Sequence, residues 1–217
     1  MKVGVLGTGM VGRAIATKLA AIGHDVTMGS RSPGNESALA WARDAGGEAG
    51  TFADAAESAE VVFNCTAGAH SLAALEAAGE EAIADKLLID VANPLDFSQP
   101  SGPALAVAGT DSLGEQIQRA LPRARVVKAL NTVNAEVMVD PDRIEGDHVV
   151  FVCGDDSAAK ERAVRLVGEL GWPEERVVDL GPIAAARASE MYLPLWIALM
   201  GRLGTSQFNI ELRRAAG

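Results

Sequence analysis

Short runs of apolar residues alternate along the chain with longer stretches in which apolar residues recur at helical spacing. Most of the runs are apolar at every position, as in Val61-Val62-Phe63, a pattern typical of parallel strands covered by helices on both faces. We predict strands at Lys2–Leu6, Asp25–Met28, Val61–Cys65, Lys86–Val91, Val126–Leu130, His148–Val152 and Val177–Leu180. We predict helices from Val11 to Ile22 and at Ala38–Ala45, Leu72–Ala84, Leu113–Leu121 and Ser157–Leu170. This alternation indicates an α/β fold with a doubly wound, mainly parallel sheet.

The last part of the chain has helix potential that no further strand follows. Ala184–Ala188 and Tyr192–Met200 predict a small, mostly helical segment that packs across the carboxyl ends of the strands. We therefore divide the chain into residues 1–135, the main domain, and residues 136–217, a smaller segment that completes the sheet and a ligand cleft. The Gly- and Pro-rich stretch Asn93–Gly109 is predicted to be a long loop, and long loops in compact domains often carry function.

Composition and charge exclude several classes of protein. The 217 residues include 29 acidic and 19 basic side chains, a formal net charge of -10, whereas nucleic acids and anionic membranes bind basic surfaces. Cys65 and Cys153 are too few for a disulfide framework and show no metal-ligand spacing with the three histidines, so we predict no metal site. The longest apolar stretch, Met191–Met200, is shorter than the ~20 residues that span a membrane, and the chain start does not resemble a signal peptide. We therefore predict a cytoplasmic protein.

The clearest chemical signal is Gly7-Thr8-Gly9-Met10-Val11-Gly12, which lies between a predicted strand and a predicted helix. In that context Gly7 makes a tight turn, Gly9 lets a pyrophosphate approach the backbone, and Gly12 lets the helix pack against the strand. The helix N-terminus adds free N–H groups and a partial positive charge. The motif therefore predicts a Rossmann-type sheet whose main domain binds a dinucleotide.

The end of the second predicted strand indicates which dinucleotide is bound. An NAD-binding enzyme normally carries Asp or Glu about 20 residues after the glycine motif, where the carboxylate holds the ribose hydroxyls. Here the strand is followed by Gly29-Ser30-Arg31, without an acidic residue. The Ser30 hydroxyl and the Arg31 guanidinium suit a 2′-phosphate, so we predict NADP. The alternative is that Arg31 is a solvated loop residue.

Several segments, taken in order, resemble one known family. Gly7–Gly12, Gly29–Arg31, Val127–Thr132, Val152–Asp156, Asp179–Pro182 and Pro194–Trp196 are similar to segments of the coenzyme F420-dependent NADP oxidoreductase family. They also resemble the reductase domain of the six-transmembrane metalloreductases, in which NADPH reduces a flavin. The resemblance implies hydride exchange between NADPH and a deazaflavin, coenzyme F420, without a covalent protein intermediate. Such a transfer needs no Ser-His-Asp set and no paired carboxylates, and neither stands out in the sequence.

The resemblance also implies roles for particular residues, most of them at the end of a predicted strand or in the loop that follows. It places Thr8, Gly9, Met10 and Val11 at the pyrophosphate, Ser30 and Arg31 at the 2′-phosphate, Cys65, Thr66 and Ala67 along the dinucleotide, and Asn93, Pro94, Asn131 and Thr132 beside the nicotinamide. Asn35 stands where the family often has a further basic residue, which weakens the predicted phosphate clamp. His70 matches a histidine in some relatives, and we assign catalytic positions to His70, Asn131 and Thr132. Whether His70 touches a ligand is left open.

The hydride acceptor is also left open, because Asn131 stands where some deazaflavin enzymes have histidine. One alternative keeps NADPH and replaces the deazaflavin by FMN, FAD or a small carbonyl or imine. Another is a nonenzymatic NADP-binding regulator, although the Asn93–Gly109 loop and the C-terminal segment favour a second ligand cleft.

Three further predictions concern packing. The apolar helix Leu193–Met200 fits burial against its own sheet or in a dimer interface, and we favour a homodimer. The aromatic residues Tyr192, Trp196 and Phe208 are predicted to pack in the core or between subunits, with the alternative that one of them flanks a flavin-like ring. Arg187 and Glu190 have the spacing of an exposed ion pair on one helix face, a contact worth a few tenths of a kcal/mol. The two cysteines are predicted to be small buried residues without a chemical role.

Overall fold

A computed structural model describes residues 1–98 and 102–215 of the chain. The strands are β1 Lys2–Leu6, β2 Asp25–Ser30, β3 Glu48–Thr51, β4 Val61–Asn64, β5 Leu87–Asp90, β6 Leu95–Asp96, β7 Ala104–Leu105, β8 Arg125–Ala129, β9 Val150–Gly154 and β10 Val177–Asp179. Eight of them form one sheet in the order β10-β9-β8-β5-β4-β1-β2-β3, and β6 pairs with β7 in a separate hairpin. The order reverses between β1 and β4, which is the point where doubly wound sheets bind their ligands.

Six strands of the sheet, β1 to β5 and β8, are parallel, so their carboxyl ends meet at one edge. The strand β9 pairs antiparallel with β8, and β10 runs parallel to β9. The prediction of a doubly wound, mainly parallel α/β fold is therefore confirmed. The edge formed by the six parallel strands carries the candidate site.

Helices cover both faces of the sheet. They are α1 Met10–Ala21, α2 Glu36–Ala45, α3 Phe52–Ser58, α4 Gly68–Ala78, α5 Glu80–Ile83, α6 Leu113–Ala120, α7 Ala135–Val139, α8 Ser157–Glu169, α9 Ala186–Met191 and α10 Leu193–Leu203. The helices α1, α2, α7 and α8 bury their apolar sides in one cluster, and α3 to α6 with α9 bury theirs in a second cluster on the other face. The strands are apolar on both sides because each face is covered in this way.

All seven predicted strands are present, with ends that differ by one or two residues. The sequence does not predict β3, because Glu-Ala-Gly-Thr contains no run of β-branched or aromatic residues. This strand lies at the edge of the sheet. The predicted single helix Leu72–Ala84 is wrong: α4 ends at Gly79, whose φ of 91° favours glycine, and α5 follows.

The predicted loop Asn93–Gly109 contains the short hairpin β6–β7, and residues 99–101 of it lie outside the described residues. Residues 216 and 217 of the predicted C-terminal segment also lie outside them. Among the residues described, no helix is long and apolar enough to cross a membrane.

Candidate active site

Two cavities lie at the carboxyl edge of the sheet, where the strand order reverses. The smaller one, about 430 Å³, extends from the turn after β1 to the turn after β2. The larger one, about 510 Å³, extends from the start of α1 past the ends of β5 and β8 to α10. Both are lined by Cys65, Thr66 and Ala67, which follow β4. The two cavities thus adjoin at a shared wall, and together we call them the groove.

The structure distributes the predicted site residues over this groove. Gly7, Thr8, Gly9, Ser30, Arg31 and His70 line the smaller cavity, Met10, Val11, Asn93, Asn131 and Thr132 line the larger one, and Cys65, Thr66 and Ala67 line both. Gly12 and Pro94 line neither. His70 therefore lines a different cavity from Asn131 and Thr132, the other two residues predicted to be catalytic.

The three glycines of the turn after β1 differ in what an added side chain would meet there. Gly7 has a φ of 118°, and a Cβ there would lie 2.7 Å from the Cys65 carbonyl oxygen. A Cβ on Gly12 would overlap the carbonyl oxygen of Gly7, which keeps α1 close to the turn. A Cβ on Gly9 would meet no atom within 4 Å. The protein itself thus requires Gly7 and Gly12, whereas Gly9 leaves open space at the N-terminus of α1.

That helix N-terminus has the properties of an anion site. The N-cap residue of α1 is Gly9, and no side chain caps the first turn, so N–H groups there are available to a ligand. The first turn also carries no acidic side chain. An open cradle beside uncapped N–H groups fits the pyrophosphate of a dinucleotide.

The turn after β2 presents a basic side chain to the same cavity. Arg31 is exposed and forms no hydrogen bond or ion pair with any residue that the structure describes. Ser30 is buried and donates its hydroxyl hydrogen to the Ser32 carbonyl at 2.6 Å, so it shapes the turn that carries Arg31. Asn35 caps α2 by accepting the Ala38 N–H at 3.0 Å, and it also lines this cavity. The free guanidinium fits a 2′-phosphate.

Two asparagines form the polar wall of the larger cavity. The Asn93 amide donates to the Asn131 carbonyl at 2.8 Å, and the Asn131 amide donates to the Asn93 side-chain oxygen at 2.9 Å. Leu130, the residue after β8, has a φ of 61°, a conformation that bulky residues rarely adopt. The unusual backbone turns the chain at the point where Asn131 enters the cavity wall, and strain of this kind is typical of functional sites.

Two polar atoms in this wall have no partner among the residues that the structure describes. The side-chain oxygen of Asn131 and the hydroxyl of Thr132 are buried, and neither has a hydrogen-bond partner in the described chain. Buried polar groups almost always have a partner, so an unpartnered pair beside a cavity indicates a polar ligand. Together with the open space at Gly9 and the unpaired Arg31, these atoms fit a dinucleotide whose carboxamide end lies near β8.

The wall of the larger cavity on the α10 side is mainly apolar. Trp196 stacks on Phe208 with ring centroids 5.3 Å apart, and it lines the cavity together with Leu193 and Met200 of α10. Phe97, which is 72% exposed, lies at the mouth. Of the three aromatic residues singled out in the sequence, Trp196 therefore lines the larger cavity.

The cysteines have the unreactive character that the sequence predicts. Burial and the nearby Asp90 carboxylate raise the pKa of the Cys65 thiol far above its usual range. Burial also raises the pKa of Cys153, to about 12. Both thiols therefore stay neutral at physiological pH, which suits packing and excludes a thiolate nucleophile.

Sequence reasoning missed a cluster of buried charges beneath the groove. Lys128 on β8 is 1% exposed and donates to Asp90 at 2.7 Å, to Glu190 at 2.8 Å and to the Ala92 carbonyl. Burial by itself would lower the pKa of this ammonium, but the carboxylates of Asp90 and Glu190 outweigh burial and raise it. A lysine inside the apolar run Val126–Leu130 was the available signal.

The predicted surface pair of Arg187 and Glu190 is wrong. Glu190 is 1% exposed because it turns inward to Lys128 and accepts the N–H groups of Leu113 and Gly114 at 2.8 and 3.0 Å. Arg187 pairs instead with Glu115 of α6 at 2.8 Å. Both contacts join α9 to α6. The two residues do lie on one helix, as predicted, but each binds a residue of another element and not its helix neighbour.

The fold and this groove define a class of protein, the Rossmann-type oxidoreductases that bind a dinucleotide beside a second ligand. Comparison with known proteins gives the family. Residues 2–94 match the model of the family described as NADP oxidoreductase, coenzyme F420-dependent. The F420-dependent NADP reductase of Methanothermobacter marburgensis is 31% identical over 214 residues, which cover 92% of each chain. The chain belongs to the F420-dependent NADP oxidoreductase family, and NADP(H) is its dinucleotide.

Two further relatives bear on this assignment. A crystal structure from Arthrobacter sp. FB24, assigned as an F420-dependent NADP-reductase, is 51% identical with a TM-score of 0.94, covering 99% of this chain and 100% of that one. Metalloreductase STEAP3 of Rattus norvegicus is 29% identical over 199 residues, and the match covers 90% of this chain but only 38% of the metalloreductase. The predicted family, fold and dinucleotide are confirmed.

Proposed function

We propose that this protein transfers hydride between NADPH and a deazaflavin of the coenzyme F420 type. The dinucleotide would lie along the smaller cavity and reach with its nicotinamide into the larger one at Asn131 and Thr132, and the acceptor ring would occupy the rest of the larger cavity. The observation that carries this proposal is the wall Cys65–Ala67 common to both cavities, since it brings the end of one ligand beside the other. A nonenzymatic regulator would need no space in the larger cavity beyond that taken by the nicotinamide.

The chain's own residues divide the work of holding the dinucleotide. The N-terminus of α1 with Gly9 receives the pyrophosphate, Arg31 receives the 2′-phosphate, and Asn131 with Thr132 binds the polar end of the nicotinamide. NADPH bound in this way supplies the hydride, and the protein contributes position and the exclusion of water. The roles of these residues and of His70 stay predictions. The division of the chain after residue 135 and the cytoplasmic location also stay predictions.

The walls of the larger cavity favour a ring acceptor over a carbonyl or an imine. Among the described residues that line it, the ionisable side chains are Cys65, whose thiol stays protonated, and Glu136, which is bound to Arg143 at 3.0 Å and to Gln207 at 2.6 Å. Reduction of a carbonyl or imine is assisted by a positioned acid that protonates the oxygen or nitrogen. A flavin-type ring takes up its proton at a ring nitrogen that exchanges with water, so it needs no such group.

An acceptor screen tests this proposal. With NADPH as donor, we expect turnover of the deazaflavin to exceed that of FMN, FAD and a cyclic imine by at least about tenfold in kcat/KM. The measurement is the loss of NADPH absorbance, with each acceptor varied at saturating NADPH. Turnover of FMN without turnover of deazaflavin would eliminate the deazaflavin proposal.

We also propose that α10 mediates a homodimer. Of its 11 residues only Arg202 is charged, yet Leu195 and Leu203 are 56% and 55% exposed and only Leu193 is buried. The net charge of -10 makes two copies of this chain repel each other, and an uncharged, exposed helix face is a surface where they can meet. Twofold dimers are also the commonest assemblies.

Leu195→Asp is expected to convert the dimer into a monomer, because two carboxylates would be buried at the twofold interface. The measurement is the mass in solution by light scattering after gel filtration. Leu39→Asp is the matched control, since Leu39 is a 38% exposed leucine on a different helix, α2, and this variant should leave the mass unchanged. A monomeric parent protein would contradict the dimer.

A further inference from the structure

A row of buried polar side chains crosses the sheet directly beneath the groove. Asn64, Asp90 and Lys128 are register neighbours on β4, β5 and β8, and each is at most 1% exposed. The Asn64 amide donates to Asp90 at 2.8 Å, and the Lys128 ammonium donates to the other Asp90 oxygen at 2.7 Å. Each of the three residues lies near the carboxyl end of its strand, where the loops of the groove begin.

Every hydrogen-bonding atom of the two carboxylates in this cluster has a donor. Asp90 receives Asn64, Lys128 and the N–H of Ala92 at 3.2 Å. Glu190 receives Lys128 and the two N–H groups at the start of α6. The three hydrogens of the ammonium likewise have three acceptors. Full satisfaction of this kind fixes one arrangement of the surrounding chain.

The cluster holds the site in two places. The Lys128–Asp90 pair binds both backbone polar groups of Ala92, and the next residue is Asn93, which is doubly hydrogen-bonded to Asn131. At the other end of the row, Asn64 accepts the Thr66 hydroxyl at 2.7 Å, and Thr66 belongs to the wall that both cavities share. Glu190 extends the connection to α9, which leads into the apolar wall on α10.

Stability alone does not account for such a cluster. Three ionised groups lose their hydration when they are buried, and well-packed apolar residues commonly stabilise a fold as well or better. What an apolar core lacks is the ability to hold backbone N–H and C=O groups of loops at fixed positions.

We propose that Lys128 is a positioning residue for hydride transfer, which fixes the Ala92–Asn93 segment against Asn131 and connects it to α9. This proposal rests on the proposed function for the identity of the step, and on the hydrogen bonds above for the geometry. Lys128 touches no ligand; it acts through Ala92 and Glu190. The nicotinamide end of the groove depends on it, whereas the adenine end, built by Gly9 and Arg31, does not.

The test is the double variant Asp90→Asn/Lys128→Met, which removes the ion pair and leaves the formal charge of the cluster unchanged. Two dissociation constants are measured: that of NADPH, and that of adenosine 2′,5′-bisphosphate, which has only the adenine-side phosphates. We expect NADPH to bind about tenfold more weakly and the bisphosphate to bind as before, with kcat for the deazaflavin also reduced about tenfold. Lys86→Met is the matched control, because Lys86 also donates to backbone carbonyls, at 2.8 and 3.3 Å, but at the opposite edge of the sheet.

Two outcomes would overturn the proposal: equal changes for the two ligands, or a folded variant in which neither changes. A role in stability alone would lower the unfolding temperature without altering the ratio of the two constants. Should the double variant not fold, Glu190→Gln is measured in the same way, and an unchanged ratio there also refutes the connection to α9. The binding ratio involves no acceptor, so a failure of the deazaflavin assay in the parent protein is distinguishable from a failure of the positioning role.

Discussion

Gly9→Val is expected to abolish NADPH binding, by more than about 100-fold or ~2.8 kcal/mol, while the protein stays folded. Gly9 has a φ of -75°, which any residue adopts, and a Cβ there meets nothing within 4 Å in the protein. The added side chain therefore enters only the space that the pyrophosphate would occupy at the N-terminus of α1. The measurement is NADPH affinity by fluorescence titration, together with the thermal unfolding curve.

The matched control for this variant is Gly168→Val, since a Cβ on Gly168 of α8 also meets nothing within 4 Å and lies outside both cavities. It should cost about as little stability as Gly9→Val and leave NADPH affinity unchanged. A folded Gly9→Val protein that keeps the parent affinity would show that the pyrophosphate lies elsewhere.

Arg31→Ala is expected to weaken NADPH binding by about 1 to 3 kcal/mol, roughly 5- to 150-fold, and to leave NADH binding nearly unchanged. The reason is that Arg31 has no partner in the described protein, so its guanidinium is available to the 2′-phosphate that only NADPH carries. The measurement is the pair of dissociation constants for the two dinucleotides.

Arg43→Ala controls for the loss of one positive charge, because Arg43 is exposed on α2 and lines neither cavity. It should change both affinities by much less. Equal losses for NADPH and NADH in Arg31→Ala would mean that Arg31 contributes general attraction and does not recognise the phosphate.

Most strands of the sheet could be predicted from the sequence because they are buried on both faces. Continuous apolar runs such as Leu87-Leu88-Ile89 can be recognised in the sequence, and the glycine motif marks the first strand and helix together. The edge strand β3 carries no such run. The antiparallel direction of β9 depends on how the chain connects the strands, so it cannot be predicted from the residue types in β9.

The groove was predictable where its residues follow strands, as Cys65, Asn93 and Asn131 do. The assignment of His70 to one cavity and Asn131 to the other depends on how α4 and the end of β8 are arranged in three dimensions, which local sequence does not indicate. The Lys128–Glu190 contact joins residues 62 positions apart, and no local spacing indicates it.

The formal charge of -10 gives a misleading impression of the ligands, since NADP and the proposed deazaflavin are both anions. The proposed attraction is local and comes from an uncapped helix N-terminus and from Arg31, which has no partner among the described residues. Such features act over about 8 Å at physiological salt, so distant acidic residues weaken binding little.

The burial of both cysteines has a practical consequence for work with this protein. Because both native thiols are protonated and at most 8% exposed, maleimide reagents should label the parent protein far more slowly than an exposed cysteine. A cysteine introduced at the exposed position of Phe97 would then carry a single fluorophore at the mouth of the larger cavity. The arrival and departure of the second ligand could be followed optically at that position, on a molecule that needs no prior removal of native cysteines.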